Sequence, residues 1–135
     1  MQESDFSGEM VRTLAEIGFI AVSYGRSEQA QAIFEAFLVM RPESEAGLLG
    51  LSLVAMVKGD VDEALKLLEQ APPSDTIQTY KGLALLRKGE REQAEEILRE
   101  ICEHDKGSVC AVIAADALES AKELANPVSA MITRR

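Results

Sequence analysis

Gly59-Asp60-Val61-Asp62-Glu63-Ala64 sets the fold of this chain. The same pattern stands earlier as Gly25-Arg26-Ser27-Glu28-Gln29-Ala30 and later as Gly89-Glu90-Arg91-Glu92-Gln93-Ala94. An apolar run precedes each glycine and another follows each alanine. Three copies of one glycine-turn-alanine unit predict a helical repeat. The glycine ends one helix, where a left-handed backbone angle costs little without a side chain. The alanine sits in the next helix, where two helices must approach closely.

Outward from these turns, the apolar periodicity predicts the helices. The first spans about 9–23, with Leu14, Ile17, Ala21 and Tyr24 read as its inward face. The second spans about 27–40, with Ala30, Ile33, Phe34, Phe37 and Leu38 inward, and Arg41-Pro42 ends it. The third, about 44–58, is apolar almost all round, so it is buried on two sides or offers one side to a partner. Asp60, with Glu63 three residues on, has the pattern of a capping box for the fourth. Ala71-Pro72-Pro73 breaks that helix early. Helices follow at about 75–87 and 91–103. Ser108 can cap a last one running to about 124, closed by Asn126-Pro127. The expected organisation is a tail at 1–8, one domain at 9–124 and a tail at 125–135.

The step from Gly25 to Gly59 is 34 residues, and so is that from Ala30 to Ala64. The residues at fixed offsets resemble the tetratricopeptide pattern. The first repeat has Leu14, Ile17-Gly18, Ala21, Ala30, Phe34 and Pro42. The second has Leu48, Leu51-Ser52, Ala55, Ala64 and Leu68, and the third Lys81-Gly82, Leu85, Ala94 and Leu98. The expected fold is therefore all-α, a solenoid of three helical hairpins plus a closing C-terminal helix. Gly59 to Gly89 is only 30 residues. The shortfall is about one helical turn, expected at the end of the fourth helix and making the superhelix irregular there.

Composition narrows the function. The net charge of -9 leaves no basic stripe for phosphate, which argues against nucleic acid. No secretory signal opens the chain and no apolar run is long enough to span a bilayer, so a cytoplasmic protein is expected. Cys102, His104 and Cys110 offer three zinc ligands without a fourth, and the spacing of Cys102 and His104 keeps the two from facing each other. The cysteines read as small apolar packers. Glu95, Glu96, Glu100 and Glu103 alternate with Ile97, Leu98 and Ile101, the pattern of a solvated helix face. There is no glycine-rich phosphate loop. No enzyme, metal or cofactor is expected.

What remains is the concave wall that tetratricopeptide folds use. The family's wall positions fall on Arg12, Ala15, Phe19 and Val22 in the first repeat. They fall on Ala46, Leu49, Leu53 and Met56 in the second, and on Thr76, Thr79, Leu83 and Leu86 in the third. This wall is almost wholly apolar, suited to an amphipathic helix of another protein. Gripping a C-terminal carboxylate, another use of such walls, needs Lys, Arg and Asn, and only Arg12 qualifies. The wall could instead pack against the last helix or a second copy of the chain.

A small acidic three-repeat chain with an apolar groove resembles the type III secretion chaperones, most of all those of the needle subunit. That resemblance implies a chaperone holding the amphipathic helix of a secreted subunit and preventing premature polymerisation. It also implies a small helical co-chaperone on the N-terminal helices. The partner-binding residues would be Phe19, Val22, Leu49, Leu53, Met56, Leu83 and Leu86. A homo-oligomer also fits, and a general scaffold domain for protein assembly is the alternative function.

Overall fold

The computed structural model describes residues 8–125. Of the expected tail at 1–8 only Gly8 is described, and it begins the first helix; the Asn126-Pro127 stop lies outside the described residues. Among those described are seven helices: α1 (Gly8–Ser23), α2 (Ser27–Met40), α3 (Glu45–Val57), α4 (Val61–Gln70), α5 (Asp75–Lys88), α6 (Arg91–His104) and α7 (Val109–Ala125). All the expected helices are present, and their ends shift only at the caps.

The three turns are built alike. Gly25, Gly59 and Gly89 have φ of 74°, 84° and 94°, the left-handed region that glycine enters cheaply. After each, the next N–H reaches back across the helix end: Arg26 to Ala21 O at 2.8 Å, Asp60 to Ala55 O at 2.8 Å, Glu90 to Leu85 O at 2.9 Å. This satisfies carbonyls that a helix end would otherwise leave without partners. Asp60 Oδ1 accepts from the Glu63 N–H at 3.1 Å. The N–H of Asp60 is already used by the turn, so only half of the expected capping box forms. Ser44, Ser74 and Ser108 cap α3, α5 and α7 by accepting from Gly47, Ile77 and Ala111 N–H groups.

The chain divides into two compact units, Met1–Pro72 and Pro73–Arg135. In the first, α2 packs on α1 and α3, and α3 packs on α4. Ala30, Phe34, Phe37 and Val54 form the core, with Val11, Leu14, Ala15, Ala21 and Val22 of α1 against it. The expected inward face of α1 is therefore only half right. Leu14 and Ala21 face the core, but Ile17 and Tyr24 are 49% and 79% exposed. Gly18 explains the rotation. A Cβ there would stand 2.6 Å from Phe34 Cζ, so α1 turns its glycine edge to the ring and carries Ile17 off to the side.

The apolar α3 is buried on several sides: Leu48, Leu49, Val54 and Ala55 are all in the core. Helix α4 has 10 residues against 14 in α2 and α6, which places the missing turn where the proline pair stops it. Its Ala64 is fully buried, as are Ala30 and Ala94.

In the second unit α6 lies against both α5 and α7. Leu98, Ile101 and Ala114 make its core. Gly82 of α5 lets Leu98 approach, for a Cβ there would meet its Cδ2 at 2.6 Å. Arg91 Nη2 donates to Ala121 O at 3.1 Å and ties the far end of α7 to the start of α6.

Candidate protein-binding surface

The wall residues of the first unit come from α1 and α3, which pack together. They differ in how much surface they keep. Phe19 meets Phe34 with ring centroids 5.0 Å apart, so much of it is spent on the core. Leu49 is 8% exposed and serves packing more than recognition. Val22, Leu53 and Met56 are half-buried, with Val22 also leaning on the core. Arg12 is exposed and Ala15 and Ala46 are half-buried. The side chains most available for contact here are thus Leu53, Met56 and Val22, all apolar.

In the second unit Leu83 and Leu86 are half-buried, and Leu86 packs against the core of that unit. Thr79 is fully buried, its Oγ1 donating to Asp75 O at 2.6 Å. Thr76 is half-buried beside Cys110.

The structure adds a surface that the wall positions miss. Met10, Ile17, Ile20 and Tyr24 are 45%, 49%, 57% and 79% exposed. With Thr13 they recur along α1 and into the turn just past it at alternating steps of three and four, the seam pattern of a helix that packs on another helix. The same spacing stands in the sequence, where Ile17 and Tyr24 read as part of the inward face. Exposed apolar surface therefore lies on α1 in addition to the half-buried Leu53 and Met56 and the exposed Val57 of α3.

Cys102, Cys110 and His104 make packing and surface contacts. Cys102 Sγ approaches Ala111 O at 3.8 Å, and Cys110 Sγ approaches Thr76 Oγ1 at 3.8 Å. His104 Nε2 faces Asp75 Oδ2 at 3.7 Å at the surface. Among the described residues no three His, Cys, Asp or Glu side chains are grouped to hold a metal ion. Glu95 accepts from Arg91 at 3.0 Å and Arg99 at 3.3 Å. The Arg91 hydrogen bond is the largest influence and holds its carboxyl below the usual value; burial opposes it, and the charges of Arg99 and Arg91 add to the lowering. Among the described residues no helix is long and apolar enough to cross a membrane.

Residues 20–76 match the tetratricopeptide repeat model. The chain has the tetratricopeptide fold. Its likeness to solved structures extends well beyond the matched residues. The type III secretion translocator chaperone SycD of Yersinia enterocolitica is 22% identical, with a TM-score of 0.65 over 86% of each chain. SycD in complex with a peptide of the translocator YopD is 21% identical, with a TM-score of 0.67 over 90% of this chain and 98% of that one. A T3SS complex from Aeromonas hydrophila is 22% identical, with a TM-score of 0.66 over 88% of this chain and 85% of that one. No curated protein sequence matches the chain.

Proposed function

We propose that this tetratricopeptide protein is a cytoplasmic type III secretion chaperone, a binding protein and not an enzyme. It masks an apolar segment of a secreted subunit until export. The observation that carries this reading is the apolar wall of the first unit, where Val22, Leu53 and Met56 keep part of their surface open. A wall whose charge is confined to the exposed Arg12 can take apolar anchors at Val22, Leu53 and Met56 and leave no charge buried there. Burial of that surface drives binding, at about 25 cal/mol per Å² before ordering costs.

The fold shared with a translocator chaperone that holds a translocator peptide supports a translocator segment as the occupant. The needle subunit is the narrower reading, and it also calls for an amphipathic helix on the wall. The stripe of Met10, Ile17, Ile20 and Tyr24 on α1 supports a second contact. We assign it to a small helical co-chaperone or a second copy of the chain. A general scaffold role would leave the wall to many partners of unrelated chemistry.

Co-expression of the tagged chain with each needle and translocator subunit of its own secretion system tests the reading. One subunit should be retained and kept soluble. Retention of none of them would overturn it.

A further inference from the structure

Helices α6 and α7 are joined by the short turn 105–108 and run antiparallel. Arg91 at the start of α6 bonds Ala121 near the end of α7. Seven residues on in α6 and seven back in α7 stand Leu98 and Ala114. Both are fully buried and belong to one cluster. Four residues further on each helix, toward the turn, stand Cys102 and Cys110. A step of four keeps each cysteine on the same helix face as Leu98 or Ala114. Both cysteines are half-buried, and both pack against the cluster of Leu98, Ile101 and Ala114. Cys102 Sγ lies 3.8 Å from the carbonyl oxygen of Ala111, the residue next to Cys110. This register sets Cys102 opposite Cys110 in the layer nearest the turn, and both thiols are free.

We infer that Cys102 and Cys110 are an oxidation site, a facing dithiol that closes into an internal disulfide and clamps α7 to α6. Axes of packed helices lie about 8–10 Å apart, and each Cα stands about 2.3 Å off its axis. Facing Cα atoms thus come within the reach of a disulfide, about 4.4–6.8 Å. Cys110 Sγ rests 3.8 Å from Thr76 Oγ1 on α5, and one rotation about its Cα–Cβ bond turns it toward α6. The oxidant is a small disulfide, oxidised glutathione. One cysteine thiolate attacks it, forming a mixed disulfide and releasing one glutathione thiolate. The second cysteine thiolate attacks the protein sulfur of that mixed disulfide and releases the other. The cysteines together lose two protons and two electrons, and the electrons leave on the two reduced glutathiones. A reducing compartment keeps the pair as thiols, and the bridge forms where oxidised glutathione accumulates. The site lies in the second unit alone and does not depend on what the first unit binds.

The test incubates the full chain with oxidised glutathione, blocks any remaining thiols with iodoacetamide, then denatures and digests it with trypsin. Trypsin cuts after Arg99, Lys106 and Lys122, so the bridge would join the peptides 100–106 and 107–122. Mass spectrometry should find that joined pair, lighter by two hydrogen atoms. The oxidised chain should stay monomeric on a non-reducing gel and carry no glutathione. It should also unfold at a higher temperature than the reduced chain, and dithiothreitol should reverse the rise. Glutathione left on either cysteine without a bridge, a bridge only between two chains, or thiols that do not react overturn the facing pair. A bridged chain that unfolds no later than the reduced one overturns the clamp.

Discussion

The ring of Phe34 lies so close to Gly50 that a side chain on that glycine would overlap it. The far tip of the same ring meets Gly18, where a Cβ would stand 2.6 Å from Cζ. One fully buried phenylalanine on α2 is thus clasped by glycines on α1 and α3. Removing two side chains lets three helices meet around one aromatic core residue, and this fixes the helices that carry the proposed wall.

Gly50→Ala should therefore destabilise the protein, although alanine is the better helix former by about 1 kcal/mol. The added methyl meets a buried ring with nowhere to move, and overpacking of this kind costs about 1–3 kcal/mol. Thermal unfolding of Gly50→Ala should show a lower melting temperature. Adding Phe34→Leu should recover part of the loss specific to the alanine, as coupled neighbours do. Strict additivity of the two changes would contradict the clasp.

Ala64→Leu tests a second close approach. Ala64 is fully buried on α4, and a leucine there should cost about 1–3 kcal/mol. An unchanged melting temperature would mean that the α4 crossing has room that the structure denies it.

The exposed stripe on α1 predicts association. Ile20→Asp with Tyr24→Asp should leave the helical circular dichroism spectrum intact, since both side chains are exposed. The pair should reduce self-association in light scattering over a concentration series, or release a co-purifying small helical protein. If the unaltered chain is monomeric at all concentrations and carries no such protein, the stripe is not a contact surface.

Glu95 gives a pH signature. Its carboxyl is held below its ordinary value of 4.5, chiefly by the Arg91 hydrogen bond. A carboxyl lowered in the folded state adds stability that is complete above the unfolded value and lost as pH falls through the folded one. Glu95→Gln should thus be slightly less stable than the parent at pH 7, and this gap should close as the solution is acidified below the carboxylate range. A gap that persists in acid would assign the loss to packing instead. The effect should be small and shrink with salt, because the group is at the surface.

Much of the fold was legible in the sequence because glycine turns, serine caps and proline stops act locally. Gly25, Gly59 and Gly89 each needed only their own neighbours to be read. The rotation of α1 was not legible, because it depends on which residue of α2 fills the space beside Gly18. Ile17 and Gly18 are adjacent in the motif, yet only the tertiary contact with Phe34 decides which of them turns inward. The wall was legible as a set of positions but not as a surface. Phe19 and Leu49 have the same apolar character as Leu53, and only packing shows that they are largely spent on the core.

Leu53→Asp is the most direct test of the central claim, measured by circular dichroism and by affinity for the retained secreted subunit on the same sample. The account predicts a folded protein, because water reaches this half-buried position. It also predicts binding weakened by more than about 2 kcal/mol, the scale of a residue at the centre of a contact. A variant that stays folded and binds with full affinity would contradict the wall as the binding surface, and one that unfolds would show that Leu53 belongs to the core.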